Sequence, residues 1–159
     1  MNRPLRSPDD LAAAGLVSPA ELPALRAVAA RYAVSITPDM AELIDPSDPH
    51  DPIARQFVPR AEEVVTAPEE RADPIGDAVH EKLPGLVHRY PDRVLLKPLH
   101  ICPVYCRFCF RRERVGPAGQ GSLSEAELAG AYRYIAAHPE IWEVEIGRAS
   151  CRERVYVLV

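Results

Sequence analysis

Three of the four cysteines in this chain, Cys102, Cys106 and Cys109, fall within eight residues of one another, and no other feature restricts the fold as tightly. Their spacing is C-x3-C-x2-C. They follow directly on Arg93 to Lys97, a run of apolar β-formers bounded by Pro91 and Pro98. Beyond them lie the basic stretch 111–114, a glycine-rich turn (Gly116, Gly119, Gly121) and a capping box at Ser124 and Glu127. The box predicts a helix to about Ala137, stopped by Pro139, with Leu128, Tyr132 and Ile135 as its buried face. Ile141 to Glu145 then begins a second strand. Strand, loop, helix and strand over 93–145 predict one βαβ unit, the repeating element of a parallel sheet or α/β barrel. The cysteines sit at the C-terminal end of its first strand, where such barrels carry their chemistry.

The rest of the chain is of another kind. Seventeen prolines stand against eight glycines, and most of the prolines precede Pro98, which predicts short helices and stiff turns wrapping the domain. Ser7-Pro8-Asp9-Asp10 reads as an N-cap, a first-turn proline and two carboxylates at the positive end of a helix reaching about Gly15. Ser18 and Glu21 form a second box, after which Leu22, Leu25, Ala29 and Tyr32 recur at helical spacing. Thr37-Pro38-Asp39 starts a third helix that ends before Asp45-Pro46, and the Asp-Pro pairs at 45–46, 48–49 and 51–52 build consecutive turns. Residues 54–92 show little periodicity and read as an irregular arm.

At 159 residues with 47% hydrophobic content the chain has enough apolar material for a core. Its formal charge of -4 supplies no general attraction to nucleic acid or to an anionic membrane surface. No apolar run approaches the roughly 20 residues of a membrane span, and the N-terminus lacks the apolar stretch of a signal peptide. The expected location is the cytoplasm. There the cysteines remain thiols, which favours metal binding or catalysis over disulfides.

Two metals suit the cysteine loop. A cubane iron–sulfur cluster takes one thiolate per iron, so three cysteines leave the fourth iron open to a small molecule. His100 extends the motif to H-x-C-x3-C-x2-C, enough for a closed zinc site of three cysteines and one histidine. Arg107, Arg111, Arg112 and Arg114 surround the loop. The plain reading is a solvated basic face, but Arg111, two residues past a ligand, could grip a carboxylate with its planar fork. Upstream, Pro84 to Arg93 gathers His88, Arg89, Tyr90 and Arg93 around turn-forming residues, a charged turn or a phosphate-binding corner.

The three-cysteine spacing, with Phe108 just before the last cysteine, resembles the signature of the radical S-adenosylmethionine superfamily. The longer run PGLVHRYPDRVLLKPLHICPVYCRFCFRR (84–112) is similar to the lysine 2,3-aminomutase family. So are ITPDMAELIDPSDPHDPIARQFVP (36–59) and ADPIGD (72–77). The resemblance implies an α/β chain in which a helical N-terminal arm (1–92) precedes the start of a radical S-adenosylmethionine (β/α) barrel (93–145). It implies a 4Fe-4S cluster on Cys102, Cys106 and Cys109 and S-adenosylmethionine beside Phe108. Pyridoxal phosphate would lie at Arg89, Tyr90 and Arg93, and the substrate carboxylate at Arg111. The implied reaction moves the amino group of lysine from carbon 2 to carbon 3, with the cofactors carrying the difficult chemistry. Free-lysine members tend to have histidine and threonine where this chain has Phe108 and Phe110. That pair resembles the branch acting on a lysine of elongation factor P, and glutamate is a further candidate substrate. The resemblance also implies an electron donor such as flavodoxin or ferredoxin, and a homo-oligomer at full length.

The similarity ends near residue 145. Residues 146–159, which include Cys151, resemble translated adapter sequence and read as a non-native tail, with a short terminal strand from Val155 to Val159 as the alternative. Most of a barrel and the family's lysine that anchors pyridoxal phosphate are not in the chain. The fragment by itself is expected to be inactive.

Overall fold

The computed structural model describes residues 3–116, 121–147 and 154–155. The chain divides into two compact units, one of residues 1–72 and 103–116, the other of residues 73–102 and 117–159.

The first unit is built from short helices and turns: α1 (Pro8–Ala13), α2 (Leu22–Arg31), α3 (Pro38–Glu42) and α4 (Ala54–Phe57), with 3₁₀ turns at Pro19–Glu21, Ala61–Val64 and Arg112–Arg114. The polar signals at Ser7 and in the Asp-Pro stretch act where expected. Ser7 Oγ accepts from the Asp10 amide at 3.1 Å, and Pro8 occupies the first helical position. The Asp-Pro stretch forms successive turns in which each carboxylate accepts the amide two residues on: Asp45 from Ser47 (2.8 Å), Asp48 from His50 (2.8 Å) and Asp51 from Ile53 (2.9 Å). Asp51 also accepts from Ala54 at 2.6 Å and thereby starts α4. Leu5 and Ile36 form a two-way antiparallel bridge (2.8 and 3.0 Å) beside a core of Leu5, Leu11, Val34, Ile36 and Phe57. On α2 the buried positions are Leu25 and Val28, followed by Tyr32 just past its end. Val28, which the periodic reading passed over, is fully enclosed.

The second unit contains α5 (Asp77–His80), β1 (Glu81–Leu83), β2 (Leu86–Tyr90), β3 (Arg93–Leu96), α6 (Glu125–Ala136), β4 (Glu143–Ile146) and the two-residue β5 (Arg154–Val155). The chain is thus α/β, with strands in the spatial order β1-β2-β3-β4-β5. β1, β2 and β3 pair antiparallel, β3 and β4 parallel with Val94 opposite Val144, and β5 lies antiparallel on β4. Alternation along β3 sends Val94 and Leu96 into a core with Leu86, Leu123, Ala131, Ile141 and Val144. Beyond β4, the tail residues 148–153 and 156–159, with Cys151 among them, lie outside the described residues, as do 117–120 in the glycine turn.

Two expectations need correction here. Residues 81–90, read as irregular, form the β1–β2 hairpin through Pro84 and Gly85. Gly85 has φ of 73°, the second central position of a proline–glycine turn, and a Cβ there would meet Leu123 Cδ1 at 2.7 Å. The alternation was hidden because Leu86 and Val87 are both buried and then followed by polar residues. On α6, Tyr132 is 58% exposed and Ala131 is enclosed. The helix presents Leu128, Ala131 and Ile135 to the sheet, so the smallest residue, not the bulky apolar one, marks the centre of its buried face. No described helix is long and apolar enough to cross a membrane.

Candidate functional site

The cysteines are positioned by different neighbours. Past β3 the chain is guided by the Leu99–Ser122 bridge and by His100, whose amide donates to the Gly121 carbonyl at 2.6 Å. This leads to Cys102, which is half-buried in the second unit; the His100 side chain is buried. Cys106 and Cys109 belong to the first unit, the one exposed and the other half-buried. They close a turn in which the Cys109 amide donates to the Cys106 carbonyl at 3.2 Å.

The loop from Pro103 onward is pinned to the arm at alternate residues. Ser35 Oγ donates to the Pro103 carbonyl (2.9 Å), the Tyr105 amide to the Ser35 carbonyl (3.0 Å) and the Arg107 amide to the Gln56 carbonyl (2.7 Å). Arg107 is the strongest anchor. Its guanidinium donates from Nε and Nη2 to the Glu63 carboxylate at 2.6 to 3.2 Å, and from Nη1 to the Ala33 carbonyl at 2.9 Å. Arg112 lies over the Tyr32 ring at 4.3 Å, with Glu70 at 3.8 Å. Burial, the larger cause, and the neighbouring Glu113 push the Tyr32 phenol above its ordinary range, partly offset by Arg112.

The remaining site residues divide between exposed and engaged. Phe108 is 72% exposed and lines a cavity of about 350 Å³ with Arg55, Val58, Arg60, Glu63 and Arg107. Arg111 stacks over the Phe110 ring at 4.7 Å. Tyr90 is exposed, whereas the Arg89 guanidinium donates to the Ile75 carbonyl and lies 3.6 Å from Asp77. Arg93 grips Asp92 through two hydrogen bonds (3.2 and 3.1 Å) and reaches Glu143 at 3.7 Å. That fork raises the Arg93 pKa and holds the Asp92 carboxyl below its usual range.

Three thiol donors on a short loop are the donor chemistry of a cubane cluster, so the residues present fit that group. Among the described residues, however, no three His, Cys, Asp or Glu side chains are gathered into a group that could hold a metal ion. Two ion pairs escaped the sequence reading: the part-buried Arg107–Glu63, and the buried Lys97 beside Asp77 (3.5 Å) and Glu81 (3.8 Å). No local pattern links residues 44 and 20 positions apart. The only hint was a lysine inside an apolar run.

No protein-family model matches the chain. It is 40% identical over 111 residues to the L-lysine 2,3-aminomutase of Clostridium subterminale, covering 70% of this chain and 26% of that protein. To the L-lysine 2,3-aminomutase of Bacillus subtilis it is 41% identical over 108 residues, covering 68% and 23%. To that of Escherichia coli it is 34% identical over 113 residues, covering 71% and 32%. The chain therefore spans between 23% and 32% of the length of these relatives. Identity at this level to several proteins of one name, carried over some 70% of its own length, means that the chain matches a segment of the L-lysine 2,3-aminomutase family.

Proposed function

We propose that this chain is the cluster-bearing part of a radical S-adenosylmethionine enzyme, dependent on pyridoxal phosphate, that moves the amino group of lysine from carbon 2 to carbon 3. The observation that carries this reading is the C-x3-C-x2-C loop directly after β3 in a chain 40% identical to an L-lysine 2,3-aminomutase. When bound, the cluster would supply the electron that cleaves S-adenosylmethionine, and pyridoxal phosphate would carry the migrating amine.

The residues divide the work by their chemistry. Cys102, Cys106 and Cys109 would hold the cluster. Phe108 offers an open ring face for an adenine, and Arg111 offers a planar fork for a substrate carboxylate. Arg89, Tyr90 and Arg93 are neighbours on β2 and β3, and the two arginines can exchange a carbonyl and a carboxylate for a phosphate. The parallel β3–α6–β4 segment supports a (β/α) barrel, which needs at least about 200 residues when complete. The aromatic pair Phe108 and Phe110 favours a lysine of elongation factor P over free lysine. A flavodoxin or ferredoxin would be the reductant, in the cytoplasm, and the full-length protein would form a homo-oligomer.

The test is anaerobic reconstitution of the full-length protein carrying this segment, with iron and sulfide analysis, electron resonance of the reduced state and an assay for β-lysine. Cys106→Ala is expected to lose the cluster and all turnover. Zinc in stoichiometric amount with no iron would overturn the reading in favour of a zinc site made by the three cysteines and His100, and turnover of glutamate alone would move the substrate.

A further inference from the structure

We propose that Glu63 is a positioning residue for the Cys106–Cys109 turn, acting through Arg107; the inference rests on the reading of those cysteines as cluster ligands. Arg107 stands between the two cysteines and is held at both ends. Its amide donates to the Gln56 carbonyl at 2.7 Å, which fixes the backbone of the turn. Its guanidinium is chelated by Glu63 (Nε at 3.0 and 3.2 Å, Nη2 at 2.6 Å) and donates from Nη1 to the Ala33 carbonyl at 2.9 Å.

The pair is enclosed, with the Arg107 side chain 7% and the Glu63 side chain 13% exposed. The fork makes its bonds to one carboxylate and a further bond to a backbone carbonyl, so Arg107 has one orientation and not several. Glu63 is itself tied down. Its Oε1 accepts the Arg60 amide at 2.9 Å, at the start of the 3₁₀ turn Ala61–Val64. A side chain held in this way, next to Cys106 and two residues before Cys109, constrains the turn that carries both thiols. The arm, 44 residues upstream, thus orders the turn before any metal arrives. Outer residues that orient metal ligands typically change metal retention by about 10- to 100-fold when removed, and Glu63 is assigned to that class.

The experiment compares the reconstituted full chain with Glu63→Gln, which keeps the shape and removes the charge, and with Asp9→Asn, which breaks the exposed Arg26–Asp9 pair in the same unit. The readouts are transfer of iron to a chelator, the electron resonance line shape of the reduced cluster and circular dichroism of the apoprotein. Iron is expected to leave E63Q about 10-fold faster or more, with an altered line shape and an unchanged dichroism spectrum, while D9N matches the parent. If E63Q does not fold, Arg107→Lys decides, since it keeps the cation and loses the fork; faster iron release than in the parent supports the assignment. Parental release rates and line shape in E63Q, or in R107K where E63Q is lost, overturn it. A parent chain that takes zinc and no iron defeats the cluster reading instead, and the same chelator competition then reads the role of Glu63 on zinc.

Discussion

Arg107 in the first unit and Lys97 in the second are both shielded from solvent in ion pairs, and the two pairs are built differently. In the first unit Arg107 meets Glu63 through a fork at 2.6 to 3.2 Å, a geometry that fixes direction as well as charge. In the second unit Lys97, 1% exposed, lies between Asp77 at 3.5 Å and Glu81 at 3.8 Å, contacts long enough to balance charge without specifying an angle. The surroundings explain the difference. The first unit is short helices and turns, with few ladders to hold a loop in place, so side chains bonded to backbone carry that task. In the second unit a sheet already fixes the backbone: the Lys97 amide donates to the Gly85 carbonyl at 2.7 Å, and the ammonium lies beside the Asp77 and Glu81 carboxylates.

The comparison breaks most readily at Asp77. Asp77→Ala removes a carboxylate that is 6% exposed from beside a lysine that is 1% exposed. Breaking a buried pair from one side costs about 3–5 kcal/mol, and the remaining Glu81 contact places the expected loss near the lower figure. Urea unfolding followed by the fluorescence of Trp142, the one tryptophan in the chain, reads this directly, because Trp142 lies in the second unit. A loss under about 1 kcal/mol, the range of an exposed pair, would show that Lys97 does not depend on Asp77.

Helix caps should sharpen the comparison by failing to distinguish the units. Ser7 starts α1 in the first, and Ser124, whose Oγ accepts the Glu127 amide at 3.3 Å, starts α6 in the second. Ser→Ala at either position is expected to cost about 1 kcal/mol, read by the same unfolding for Ser124 and by hydrogen exchange of the α1 amides for Ser7. Unequal costs would mean that tertiary surroundings, not the local bond, set the contribution of a cap.

What could be read in the sequence follows the same division. Ser7, Ser124 and the Asp-Pro turns were legible because each signal and its consequence lie within a few residues. The strand Arg93–Leu96 was legible from its apolar run, and the cysteine loop from its spacing. The β1–β2 hairpin was not, since His88 and Arg89 interrupt the apolar pattern and the register with β3 itself shifts between Val87 and Tyr90. In the candidate site the cysteine spacing was legible, but the side chains that hold the loop were not. Arg107 looked like one arginine in a basic run, and nothing near it in sequence marks Glu63 as its partner.

The smallest expected effect concerns Asp92, at the turn between β2 and β3. Hydrogen bonds from Arg93 first, and then from the Trp142 indole at 3.2 Å, hold its carboxyl below the ordinary aspartate value of 3.8. A depressed carboxylate contributes stability that is fully present above its unfolded pKa and is lost as pH falls through the folded one. The Trp142 environment should therefore be constant from neutrality down through the pH at which ordinary aspartates protonate, and change only under more acid conditions. Asp92 is half-exposed, so added salt should weaken the link to Arg93 and move the change back toward the ordinary range. Trp142 fluorescence against pH, at low and high salt and in Asp92→Asn, measures this. A parental transition at the ordinary aspartate value, or one that persists in D92N, would show that the Arg93 fork does not hold this carboxylate. The half-exposed fork would then contribute nothing of the directional control that the enclosed Arg107–Glu63 pair is expected to exert.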